Sequence, residues 1–178
     1  GGVGYEVHMP TSSLSALHAG EKVKLYTHLH VREDNVALYG FISADELRMF
    51  QTLIGNQKER QMPVLNIESR ELRPLHMADG VVSFDFQTLC CGPRSQNDYL
   101  EIAKQFHTMI LSGVPYMPPR MTNEARRFIW LIDVLYDHKI KLIMSAEVPA
   151  PDLYTEGQIT AEFSRTVSRL IEMQSRDY

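Results

Sequence analysis

Two pairs of arginines stand out among the residues able to do chemistry: Arg126 and Arg127 in ARRFI, and Arg165 and Arg169 in FSRTVSR. A guanidinium is always charged, and its planar fork of donors fits phosphate or carboxylate oxygens. The spacing also supports a plainer reading. Arg165 and Arg169 lie one helical turn apart, with Glu162 and Glu172 within three residues of one or the other, the pattern of ion pairs along an exposed helix face. Arg126 and Arg127 are adjacent, so they point in different directions on a helix and at least one is expected to be structural.

Other chemical residues are less well placed. Glu33-Asp34-Asn35 is a turn signal. His28 and His30 share one face of a strand, but no third ligand accompanies them, so no metal site is expected. The two cysteines, Cys90 and Cys91, are adjacent, which suits neither a structural disulfide nor zinc and points to a reducing, cytoplasmic setting. No apolar run approaches the ~20 residues that cross a bilayer. Gripping a nucleotide through G-x-x-x-x-G-K-[ST] works because the loop's N–H groups and lysine hold the phosphates while its hydroxyl binds the metal. The chain contains no such string, and no acidic run closes an apolar strand; the nearest carboxylate is Asp85 in FDF.

The 178 residues are 44% hydrophobic, enough to bury a core, and carry 18 Lys and Arg against 22 Asp and Glu. The resulting charge of −4 is spread evenly, leaving no basic surplus to hold nucleic acid by electrostatics alone.

In the first third, Val3, Tyr5, Val7 and Met9 alternate with Gly4, Glu6 and His8 as in a half-buried strand. A second strand over 23–31 turns at Glu33-Asp34-Asn35 into a return strand over 36–41, making a hairpin. Ser43 and Glu46 form a capping box for a helix with Leu47, Phe50, Leu53 and Ile54 on one stripe and Gly55 just past its end. Residues 56–63, NQKERQMP, lack periodicity and read as a junction. Strands follow over 64–67 and 81–86, the second behind the hairpin signal Asp79-Gly80. Ser95 with Asp98 caps one helix and Thr122 caps a longer one, and each leads into a short apolar run, FHTMIL and then IKLIMS. Such runs after amphipathic helices are what a parallel sheet covered on both faces requires, and they predict FHTMIL and KLIMS to be parallel neighbours. The stripe Ala125, Phe128, Ile129, Ile132 and Leu135 should then be buried, with Arg126, Asp133 and Lys139 more exposed. A last helix, over about 159–175, is expected to bury Phe163, Val167, Leu170 and Ile171.

GGVGYEVHMP followed by LYTHLHVREDNVALYGF resembles the N-terminal domain of the RuvA family, which binds DNA junctions in bacterial branch migration. The resemblance implies an OB-type barrel, here truncated, whose acidic turn forms a pin at the centre of a four-way junction. On this sequence the pin is Glu33 and Asp34. Carboxylates between converging backbones repel both.

ADGVVSFDF, GPRSQNDY, FHTMILSGVP, ARRFIWLIDVLYDHKIKLIMSAEVP and FSRTVSRLIEMQS resemble the C-terminal part of the ZapE-type, Afg-like P-loop ATPases. That resemblance implies ATP and magnesium as ligands, assembly into a homo-oligomer, and a division-ring protein as partner. It makes Arg126 and Arg127 the arginine-finger candidates and Arg165 and Arg169 the lid-sensor candidates. The chain thus reads as mixed α/β: a truncated OB-like unit at 1–55, a junction at 56–63, and the parallel-sheet portion of a P-loop ATPase at 64–178. It has the look of a fusion or composite, without turnover of its own. The alternatives are a DNA-junction module and an inactive scaffold.

Overall fold

The structure is a computed structural model, and it describes residues 38–40, 50–51 and 53–174. Strands β1 (Leu38–Gly40), β4 (His76–Ala78), β5 (Val81–Asp85), β6 (Thr108–Val114) and β7 (Lys141–Ala146) form one sheet. Its order is β1-β7-β6-β5-β4, with only β4 antiparallel to its neighbour. Strands β2 (Leu65–Ile67) and β3 (Arg70–Leu72) make a separate antiparallel pair. Helices are α1 (Phe86–Cys90), α2 (Gln96–Gln105), α3 (Thr122–Asp137) and α4 (Thr160–Glu172).

The apolar runs expected to be parallel neighbours are so, with Met109 opposite Leu142, Ile110 opposite Ile143 and Leu111 opposite Met144. Both faces are covered, which is why the strands are nearly continuously apolar. Val82, Phe84, Met109, Leu111, Leu142 and Met144 face the main core with α2, α3 and α4. Ala78, Val81, Ile110 and Ile143 face the other way, against Phe50 and Ile54. The α3 stripe is buried as expected: Ala125, Phe128, Ile129, Ile132 and Leu135 are all 9% exposed or less. Arg126 and Lys139 are exposed and Asp133 is half-buried. Phe128 stacks on Phe163 of α4 at 5.8 Å, and Phe163 meets Tyr154 at 5.4 Å. Each fully buried ring of this kind contributes roughly 1.5–3 kcal/mol.

Local signals position these elements. The Asp98 carboxylate accepts from the Ser95 N–H at 2.8 Å, closing the expected capping box at the start of α2. The same carboxylate, 1% exposed, accepts from the Arg70 Nη2 on both oxygens at 2.7 and 2.8 Å while Nη1 donates to Pro93 O, tying the β2–β3 pair to α2. The Asp79-Gly80 turn joins β4 to β5 as expected. Gly80 has φ +80, a conformation that favours glycine, and a Cβ there would lie 2.3 Å from the His107 imidazole and force that ring to move. Gly55, at φ +59, donates its N–H to Gln51 O at 3.1 Å and ends the preceding helical residues as the pattern predicts.

Four details differ from expectation. Thr122 is the first residue of α3 rather than its cap, and its hydroxyl bonds instead to Pro119 O at 2.7 Å and the Tyr154 hydroxyl at 2.9 Å. Ile171 is 42% exposed and Val167 only half-buried; Phe163, Thr166, Leu170 and Met173, spaced i, i+3, i+7 and i+10, form the buried stripe, and Ile171 falls well to one side of it. Residues 38–40 of the expected return strand pair in parallel with β7, while their expected hairpin partner, residues 23–31, lies outside the described residues. Finally, β3, β4 and α1 are elements that periodicity did not predict, each being five residues or fewer. The expected OB-like unit falls largely outside the described residues.

Candidate functional site: the C-terminal edge of the sheet and its arginines

Ligands of open α/β sheets bind beyond the carboxyl ends of the parallel strands. Here that edge is formed by Asp85 at the end of β5, Ser112 opposite it on β6, and Ser145 near the end of β7. Asp85 occupies the strand-end position where a metal-binding carboxylate would be sought, but it caps α1, accepting from the Thr88 N–H at 2.6 Å. Between Leu111 and Val114 the β6–β7 register slips, and the Gly113 N–H turns to the Ser145 hydroxyl at 2.8 Å. Glu147 accepts from the Tyr116 N–H at 3.1 Å, and its own N–H donates to Val114 O at 2.8 Å. Asp85, Ser145 and Glu147 therefore all have internal partners. The sequence also contains no lysine in a glycine-rich turn, the element that grips nucleotide phosphates in P-loop proteins.

The four arginines separate by duty. Arg127 is half-buried and donates to Cys90 O at 3.1 Å, the last carbonyl of α1. Arg94 donates to Thr88 O at 3.2 Å, and the Tyr99 hydroxyl donates to Leu89 O at 2.6 Å. Three successive carbonyls that a helix end leaves unpaired are thus taken by side chains of neighbouring elements. Burial pushes the Cys90 thiol and the Tyr99 phenol far up from their ordinary values, so both stay neutral. The Cys91 thiol is also raised, first by burial and then by the nearby Glu124 carboxylate.

Arg169 pairs across helices with Asp133 of α3 rather than along its own helix, and its guanidinium lies 5.4 Å from the Tyr136 ring centre. Burial holds the Asp133 carboxyl above its ordinary value, and the Arg169 charge offsets this only in part. Arg165 and Arg126 are exposed, and neither makes an ion pair or side-chain hydrogen bond among the described residues. The structure does not gather the four: Arg127 reaches from near the start of α3 to the end of α1, whereas Arg169 pairs with Asp133, about 9 Å further along the α3 axis at 1.5 Å rise per residue. Glu33, Asp34, His28 and His30 lie outside the described residues. No group of three or more metal-ligating side chains occurs among the described residues. The commitments of Arg127 and Arg169 had no signal in local spacing, because their partners lie 37 and 36 positions away.

Comparison with known proteins bears out both resemblances. The model of the AFG1-like ATPase family matches residues 26–178, and that of the RuvA N terminal domain matches residues 1–40. The chain is 40% identical to the cell division protein ZapE of Escherichia coli K12 over 131 residues, 74% of this chain and 35% of that protein. It is 34% identical to lactation elevated protein 1 homolog B of Danio rerio over 163 residues, 73% of this chain and 32% of that protein. It is also 49% identical to the Holliday junction branch migration complex subunit RuvA of Alkaliphilus oremlandii over 57 residues, 32% of this chain and 29% of that protein. The chain therefore spans about a third of the length of these relatives. No solved structure matches it. No helix among the described residues is long and apolar enough to cross a membrane. The chain is a composite of two kinds of sequence, and since the larger match runs through the whole sheet and all four helices described above, it belongs to the AFG1-like ATPase family.

Proposed function

We propose that this chain supplies the sheet-and-helix portion of an AFG1-like ATPase behind a RuvA-like segment, and that it does not hydrolyse ATP by itself. The observation that carries this reading is the engagement of Asp85, Ser145 and Glu147 in internal hydrogen bonds, in a sequence without a phosphate-gripping loop. Arg126 is the residue best placed to act on phosphate held elsewhere, such as in a neighbouring subunit of a homo-oligomer, because it is exposed and uncommitted. Arg165 is the remaining lid-sensor candidate, whereas Arg127 and Arg169 hold α1 and α3. The ZapE relationship supports a cytoplasmic role beside the division machinery, with ATP and magnesium held through a phosphate-binding loop that these 178 residues do not contain.

A phosphate-release assay tests this. The chain alone should show no magnesium-dependent turnover, and turnover abolished by replacing a single lysine would overturn the reading. In a mixture with a loop-bearing family member that is active, Arg126→Ala should lower turnover by the ~10³-fold or more typical of a lost arginine finger.

The RuvA match favours a second reading, in which Glu33 and Asp34 separate the strands of a DNA four-way junction. The even charge distribution leaves the phosphate-gripping part of that function without support.

A further inference from the structure

We infer that residues 38–40, together with Phe50, Leu53 and Ile54, are a built-in complement of the α/β sheet, so that the working border of the folded unit lies before residue 38 and the 56–63 stretch is a connection within it. The surface they fill takes a parallel strand followed by an apolar helix face. Two parts of the fold define that surface.

The first is an edge. Leu38, Tyr39 and Gly40 run parallel to Ile143, Met144 and Ser145, covering the side of β7 that β6 leaves free. A sheet edge presents a row of unpaired N–H and C=O groups, and β1 closes this one. The second is a face. Ala78, Val81, Ile110 and Ile143 are each 3% exposed or less, although α2, α3 and α4 belong to the core on the opposite side. What covers them is Phe50 at 0% and Ile54 at 7% exposure, with Leu53 packed alongside.

The chain leaving this helix end is also fastened to the sheet. The Phe50 ring lies 5.3 Å from the His76 ring of β4. Glu59 meets His76 at 2.6 Å, the Arg60 N–H donates to Met77 O at 2.8 Å, and the Arg60 guanidinium pairs with Asp79 at 2.9 Å. Residues 50–60 thus contact β4 at several points while residues 38–40 hold β7 at the other side of the sheet. The RuvA-like match ends at residue 40 and the ATPase-family match begins at residue 26, so β1 lies in the stretch that both share. A strand within the overlap of the two matches thus serves as an edge strand of the ATPase-type sheet. Nothing in this assignment depends on nucleotide chemistry.

Single-residue amide exchange on the full chain tests it. The N–H groups of a central strand alternate between its two neighbours, so both alternating sets of β7 amides should be slow. If only the set facing β6 is slow, the inference fails. Phe50→Ala should speed exchange of the β1-facing set at least tenfold and lower the midpoint of a single thermal transition. Two separable transitions, with the β5–β7 amides unmoved by the substitution, would overturn it. Should Phe50→Ala not fold, Phe50→Leu keeps apolar volume at the site and allows the same comparison. Protection should not change on dilution; its loss as a dimer dissociates would assign the complement to a second copy and overturn the intramolecular assignment.

Discussion

Asp133 and Arg169 illustrate how a half-buried ion pair divides its energy. Burial raises the Asp133 carboxyl more than Arg169 lowers it, so in the folded chain the proton is held more tightly than in the unfolded one. Its contribution to stability is therefore complete below the ordinary carboxylate range and is lost as pH rises through the raised value. Removing the arginine leaves the carboxylate with its burial cost and without its partner. Arg169→Met should destabilise the fold at pH 7 by about 1 kcal/mol, the upper range for pairs this exposed to solvent. In chemical denaturation, that loss should shrink toward zero near pH 3, where Asp133 is protonated in both proteins. Asp133→Asn removes the charge itself and should leave stability at pH 7 unchanged or slightly higher. A larger cost for Asp133→Asn than for Arg169→Met would show that the pair, rather than the burial, dominates.

At the scale of elements, the β2–β3 turn is the strained connection. Ile67 and Arg70 face each other across a two-residue loop, and both of its residues, Glu68 at φ 49 and Ser69 at φ 63, are left-handed without being glycine or asparagine. A loop of that conformation prefers Asn-Gly. Ser69→Gly should therefore raise stability by roughly 0.4–1 kcal/mol, measured as a shifted denaturation midpoint, and a decrease would argue against the turn geometry. The same scale shows what was readable from residue order. The three apolar strands β5, β6 and β7 and the stripe of α3 were legible because long periodic or continuous apolar patterns have few alternatives. The edge β4 and the five-residue α1 were not. α1 is too short to repeat a helical stripe, and it owes its form to the Asp85 cap and to donors from α2 and α3. The arginines were visible as residues but not as roles, since a guanidinium that serves a carbonyl 37 positions away leaves no mark on its neighbours.

The whole molecule is acidic, and this sets what it can do with nucleic acid. With 18 positive against 22 negative side chains, binding to DNA should be weak, sensitive to salt and without preference for four-way junctions. A gel shift at moderate salt tests this, and tight junction selectivity would sink it. Neutralising Glu33 and Asp34 should strengthen the nonspecific component, because it removes two like charges from the approach of phosphate. The side chains that close the end of α1 bear on how any genetic study of this protein is read. Arg127 of α3, Tyr99 of α2 and Arg94 of the connection before α2 converge on three consecutive carbonyls. A selection that scores only survival would rank Arg127 beside a true phosphate-contacting arginine, since losing it strands a carbonyl and loosens the element that follows Asp85. Soluble yield, and turnover in a mixture with a loop-bearing family member, would separate the two kinds of allele: an Arg127 variant should lose yield first, and an Arg126 variant should lower the mixture's turnover at full yield.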